Sequence, residues 1–154
     1  MAFTIPEHLI VHRAKHWTIN HRVDTDMPGY LMIGAADSQV ERFQDISEEA
    51  SLELGTLIVQ ATRYVEEELQ PKRVFCSRYG YDDGHSVHFH VIPIYAWLEE
   101  AFLQDPEYSK LFCDGSSLTL FLWREYIEAE NKRPIHGPSV QEAIARVKTR
   151  FEPR

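Results

Sequence analysis

Hydrophobic positions follow two rhythms along this chain. The longer is helical. In DISEEASLELGTLIVQATRYVEEEL, residues Ala50, Leu54, Leu57, Ile58, Ala61, Val65 and Leu69 recur every three or four positions. That spacing puts side chains on one face of a helix. Asp45 with Glu48 has the form of a capping box, and Pro71 forbids continuation. One amphipathic helix is therefore predicted from Asp45 to Leu69. A second is predicted over 114–130, capped by Ser116 or Ser117. Its apolar residues Leu118, Phe121, Leu122, Trp123, Tyr126 and Ile127 span so wide an arc that it should be well buried. A third starts at Ser139, with Glu142 completing a capping box and Val140, Ile144, Val147 and Phe151 as its stripe.

The shorter rhythm is that of strands. HWTINHR (16–22) alternates and is rich in strand formers. DTDMPG (24–29) has turn residues, and YLMIGA (30–35) reads as a buried strand returning antiparallel. RVFCSRYG (73–80) and SVHFHVIPIY (86–95) form a predicted hairpin across YDDGH. Residues 97–113 show no clear pattern, and QDPEYSK reads as loop. The order predicts an α+β fold: an antiparallel sheet covered on one face, a long helix after the second strand and a helical C-terminal extension. At 154 residues a single domain is expected, with a core at about 16–95 and the extension at about 97–154.

Charge and cysteine content narrow the function classes. A net charge of −8 argues against tracking a nucleic-acid polymer, which needs a basic stripe. It still allows a small anion held by backbone N–H groups. The two cysteines, Cys76 and Cys113, form no CxxC and no disulfide framework. The longest apolar run, YLMIGAA, is too short for a membrane span. A cytoplasmic protein is the expectation.

Candidate chemistry concentrates in GHSVHFHVIPIY, Gly84 to Tyr95. It holds His85, His88 and His90, three of eight histidines. In a strand, Ser86, His88, His90 and Ile92 share one face, while Val87, Phe89 and Val91 share the other. The second set is an ordinary core face. The first presents two imidazoles from a rigid element beside a glycine turn. A lone strand histidine usually has no chemistry, but an i, i+2 pair fits two uses. One is metal ligation of cupin type, needing further ligands; His85, Asp82 and Asp83 are near, and the nearest downstream glutamates are Glu99 and Glu100. The other is nucleophilic attack on phosphorus by neutral imidazole, with turn amides holding phosphate oxygens.

These residues resemble the histidine-triad (HIT) superfamily of nucleotide hydrolases and transferases. Its signature is His-x-His-x-His followed by apolar residues and commonly preceded by Gly-Gln-Ser or Gly-Gln-Thr. HFHVIP matches the last two histidines and their tail, and Gly84-His85-Ser86 looks like the phosphate-contacting turn. Asn20, MPGYLMIG at 27–34 and the long helix extend the resemblance over roughly residues 16–95. It implies an α-phosphorus nucleophile at His88 and a supporting role for His90. Asn20, His85 and Ser86 would border the substrate. It also implies chemistry with no metal or other cofactor, a nucleotide or dinucleoside polyphosphate such as diadenosine tetraphosphate as substrate, and a homodimer. The first histidine of the signature is absent: Ser86 stands in its place, with His85 beside it in the turn. A nucleotide-binding or regulatory protein without turnover is the alternative to an enzyme.

Weaker candidates complete the survey. Arg22 and Arg78 have the charge to contact phosphate, although a solvated arginine is the commoner case. Trp17 and His21 lie near Asn20. Trp97 and Trp123 have the ring area to stack on a base, although a buried tryptophan is the commoner use. His8, His12, His16 and His136 are scattered and read as surface residues.

Overall fold

The computed structural model describes residues 4–81 and 83–153. Asp82, weighed above as a metal ligand, lies outside the described residues. Five strands form one antiparallel sheet: β1 (Ile10–Arg13), β2 (Trp17–His21), β3 (Leu31–Ala35), β4 (Arg73–Ser77) and β5 (His88–Ile94). Their spatial order is β1-β2-β3-β5-β4. Helix α1 (Glu48–Leu69) connects β3 to β4, and α2 (Ala96–Gln104), α3 (Gly115–Leu122) and α4 (Val140–Phe151) follow β5. The α+β class, the long helix after the β2–β3 pair and the helical extension agree with the sequence.

Several boundaries differ for local reasons. Helix α1 starts at Ser47, whose hydroxyl accepts from Ala50 N. Asp45 instead closes a short 3-10 turn, Phe43–Asp45, by accepting from Arg42 N. α1 ends on Gln70, at φ 51, immediately before Pro71. The cap of α3 is Asp114, whose carboxylate accepts from Ser117 N, not Ser116 or Ser117. The predicted 114–130 helix divides: after Leu122 the chain widens into a π-helical run, Trp123–Glu128. Ser139 caps α4 as expected, but Glu142 turns to Arg146 instead of closing the box. β1 and α2 carry little sequence signal, being four and nine residues long; β1 is bulged and α2 lacks a side-chain cap. The strands around the histidines are shorter than 73–80 and 86–95: β4 ends at Ser77 and β5 begins at His88, so they are not joined by a tight hairpin.

The sheet is packed on both faces, not one. On the first face Trp17, Ile19, Leu31, Ile33, Val87, Phe89 and Val91 bury against α1 and α4, through residues such as Leu57, Val65, Ile144 and Val147. On the second, Ile92 and Ile94 pack against Leu98, Phe102, Leu118 and Phe121 of the extension, with Phe75 and Met32 at the margin. The extension thus closes one end of the second face. At the other end, the cross-strand row Thr18–Gly34–His88 stays half-buried.

Candidate functional site

Strand pleating places the histidines. His88 and His90 leave β5 on the second face, while Val87, Phe89 and Val91 are buried on the first. The register extends the site across the sheet. His90 lies opposite Met32, which lies opposite Asn20; His88 lies opposite Gly34, which lies opposite Thr18. A Cβ on Gly34 would stand 3.9 Å from that of His88.

The two imidazoles are held differently. His88 is half-buried, and its Nδ1 is 2.8 Å from the Ser86 carbonyl oxygen. A carbonyl only accepts, so Nδ1 carries the proton and the neutral ring keeps its lone pair on Nε2. His90 is buried, with Nδ1 2.9 Å from Tyr30 Oη. That hydroxyl also accepts from Trp123 Nε1 at 2.9 Å and Arg22 Nη1 at 3.1 Å. The ring centroids of His88 and His90 are 5.5 Å apart. Tyr79, from the loop after β4, stands 5.3 Å from His90 and 4.8 Å from Trp123, centroid to centroid. Burial, then the charge of Arg22, then His88 hold the His90 pKa down to about 4. Burial pushes the Tyr30 hydroxyl up to about 12 although Arg22 opposes it.

The predicted residues fall into two groups. The structure brings together His88, His90, the main chain of Ser86 and, in the same row, Asn20. Asn20 is buried and its Nδ2 donates to the His21 carbonyl at 2.7 Å. His85 is exposed on the turn, where Gly84 has φ 82. Arg22 is not a solvated arginine: it chelates Asp24 and covers the rings of Tyr30 and Trp123, 5.1 Å from each. Trp123 joins the site, whereas Trp97 packs on Tyr95 and Tyr126 in the extension. Trp17 is a core residue bonded to the Ala50 carbonyl. Arg78 lies over the Phe43 ring. His21 is fully buried between the carbonyls of Arg22 and Met27. His8 and His136 are at the surface as expected, but His12 and His16 are half-buried, His12 stacked on Phe151.

Tyr30 and Tyr79 had no place among the sequence candidates. The available signal for Tyr30 was a phenol inside an apolar strand immediately after Pro28-Gly29, since a buried hydroxyl needs partners. Tyr79 offered none. Two cavities, of about 910 and 210 Å³, are lined by residues other than these histidines. Exposed Tyr79 borders the histidine site, with its ring against His90. Among the described residues, no group of three His, Cys, Asp or Glu side chains is placed to hold a metal, and no helix is long and apolar enough to cross a membrane.

No family model matches the sequence, and no curated protein matches it significantly. Solved structures do match. A Hit-like protein from Bartonella henselae, involved in cell-cycle regulation and solved with an unknown ligand, superposes with a TM-score of 0.59 at 11% identity, over 96% of this chain and 88% of that one. The fold is histidine-triad-like. The HIT-like architecture is shared also with the Caenorhabditis elegans NitFhit protein, with a TM-score of 0.56 at 14% identity over 78% of this chain and 28% of the other. A hypothetical histidine triad nucleotide-binding protein from Sulfolobus tokodaii strain 7 gives 0.52 at 12% identity, over 93% and 87% of the two chains. At such identities the shared property is the HIT-like fold itself.

Proposed function

We propose that this protein is a nucleoside-phosphate hydrolase that works through a nucleotidyl-histidine intermediate on His88. The observation that carries the reading is the bond between His88 Nδ1 and the Ser86 carbonyl, which leaves the Nε2 lone pair as the reactive atom. The HIT-like fold supports nucleotide chemistry at this strand. In the first step Nε2 attacks the α-phosphorus and the N–P bond forms. The P–O bond to the leaving phosphate or nucleotide breaks, and that group departs with the electron pair. The ring retains its Nδ1 proton and is cationic in the adduct. In the second step water attacks phosphorus, the N–P electrons return to Nε2, and a water proton passes to solvent. His90 and the backbone N–H groups of the Gly84–Ser86 turn stabilise the phosphate oxygens. Asn20, His85 and Ser86 border the substrate. Dinucleoside polyphosphates, diadenosine tetraphosphate among them, are the proposed substrate class, and no cofactor is required.

The same proposal includes a homodimer. Its support is the outer face of α1, where Leu52 is 71% and Val59 53% exposed, together with the open edge of β4. A nucleotide-binding protein without turnover is the second reading. The serine at position 86 and the exposed His85, which meets no described partner in the site, favour it.

Substrate labelled at the α-phosphate tests the reading. Label is expected to reach the protein as an acid-labile adduct on the peptide containing His88. His88→Ala and His88→Asn are expected to abolish labelling and turnover while leaving nucleotide affinity within about tenfold, roughly 1.4 kcal/mol. Wild-type turnover in His88→Ala would refute the assignment. Nucleotide binding by the wild type without label or turnover would establish the second reading.

A further inference from the structure

The Tyr30 hydroxyl sits among three nitrogens, and their chemistry decides where its proton goes. An indole N–H only donates, and so does a guanidinium. Trp123 Nε1 and Arg22 Nη1 therefore fill the two acceptor positions of Tyr30 Oη. The hydroxyl has one proton left, and the remaining neighbour is His90 Nδ1 at 2.9 Å. We infer that Tyr30 is a positioning residue which, fixed by Trp123 and Arg22, locks His90 as the neutral tautomer with a bare Nδ1 and a protonated Nε2. A proton on Nδ1 would face the tyrosine with no lone pair to receive it and would leave the phenolic proton buried without an acceptor.

The consequence is a matched pair of opposite tautomers. His88 carries its proton on Nδ1 and a lone pair on Nε2; His90 carries a lone pair on Nδ1 and its proton on Nε2. Among the described residues, no partner meets Nε2 of either ring. One ring is thus a nucleophile and the other a fixed donor, and neither serves in both roles. His90 supplies its N–H to a phosphate oxygen and remains a donor as pH falls, because it has no need to charge. The charged and titratable groups around it are Arg22 and Asp24 from the end of β2, His88 on its own strand, Tyr30 at the start of β3 and Tyr79 from the loop after β4. Arg22, the nearest cation, also opposes a second positive charge.

This assigns a task to the C-terminal extension. Trp123 stands at the junction where α3 widens into the π-helical run, a distortion often found at functional sites. Its indole reaches back across 93 positions to Tyr30. The extension thereby closes one end of the sheet face and also sets the protonation of a residue in the open end.

The tautomer assignment stands on hydrogen-bond valence, whereas its catalytic use rests on the proposed function. Long-range 1H–15N correlation spectra of the ¹⁵N-histidine-labelled protein separate the two. Wild-type His90 is expected to show one neutral tautomer, bare at Nδ1, unchanged from about pH 8 to pH 5.5. Tyr30→Phe removes the donor. It is expected to mix the two tautomers of His90 and to raise its pKa by about one unit. Trp123→Phe is expected to shift both in the same direction by less. If turnover exists, Tyr30→Phe should lower kcat about tenfold with KM nearly unchanged, and a new acidic limb should appear in the pH profile. A wild-type His90 protonated at Nδ1, or titrating between pH 8 and 5.5, overturns the inference. So does a Tyr30→Phe spectrum identical to wild type. Should Tyr30→Phe not fold, the wild-type spectrum decides alone. Labelling of His88 together with the wrong His90 tautomer sinks this inference only. The expected tautomer with no labelling by any nucleotide upholds it and sinks only the hydrolase reading.

Discussion

At the scale of single residues, the site depends on a histidine, His90, kept neutral by its surroundings, and that has a cost in acid. His90 has a folded pKa near 4, below its ordinary value of about 6.5. Burial also lowers His21, despite its two carbonyl contacts, and His12. The unfolded chain therefore binds protons that the folded chain refuses. Stability contributed by these groups is fully present above pH 6.5 and is lost as pH falls below 6.5, for His90 toward about 4. For His90 alone the loss approaches roughly 3 kcal/mol at pH 4. Urea unfolding midpoints measured at pH 7.5, 6 and 5 are expected to fall steadily, and less steeply in His90→Gln. A midpoint independent of pH over that range would show that the buried histidines are not held neutral. Gly29 matters at the same scale. It has φ 78, and a Cβ there would come within 2.4 Å of Leu69 Cδ1. Gly29→Ala is expected to cost about 1–3 kcal/mol in chemical denaturation, from left-handed strain plus displacement of Leu69.

At the scale of elements, the starts of α1, α3 and α4 each depend on one short polar side chain. Ser47 accepts from Ala50 N, and Ser139 from Glu142 N. Loss of either hydroxyl orphans a backbone donor. Ser47→Ala is expected to cost about 1 kcal/mol in thermal or urea unfolding, with the fold unchanged. An effect below about 0.3 kcal/mol would mean that Asp45, the cap expected from sequence, takes over. The elements also show what patterning can carry. Helix α1 was legible because its apolar stripe runs through 22 residues. β1 and α2 were not, since a short bulged strand and a nine-residue helix complete too few periods to stand out. The 114–130 pattern gave the burial of that segment correctly but not its widening at Trp123, because apolar periodicity does not register a change from i+4 to i+5 bonding.

At the scale of the whole molecule, the sheet is a partition. α1 and α4 cover one face, and the extension covers one end of the other, leaving a row of polar and small side chains open beside it. Assembly belongs to this scale. If α1 and the β4 edge form a twofold interface, light scattering at micromolar concentration should give twice the 18.0 kDa chain mass. Leu52→Glu should return the protein to a single chain without loss of stability, because Leu52 is 71% exposed in the isolated chain. A wild-type protein that scatters only as one chain removes the dimer from the proposal.

The sequence by itself determined the site strand and its two faces. Alternation is a local property, so His88, His90 and Ile92 had to lie opposite Val87, Phe89 and Val91 once the segment was a strand. It likewise determined α1, the α+β order and the turn before β3. Only the tertiary structure decided what each histidine is. The His90 partner is 60 positions away at Tyr30, and Trp123 lies 93 positions from Tyr30 along the chain. No window of sequence contains all three. Arg22 looked solvated because an exposed arginine is the commoner case, but folding brings Trp123 and Tyr30 against its plane. Periodicity reports which face a side chain takes, because that is set by backbone geometry within a few residues. Where the proton of a buried imidazole resides is set by the groups that folding carries to it from elsewhere in the chain.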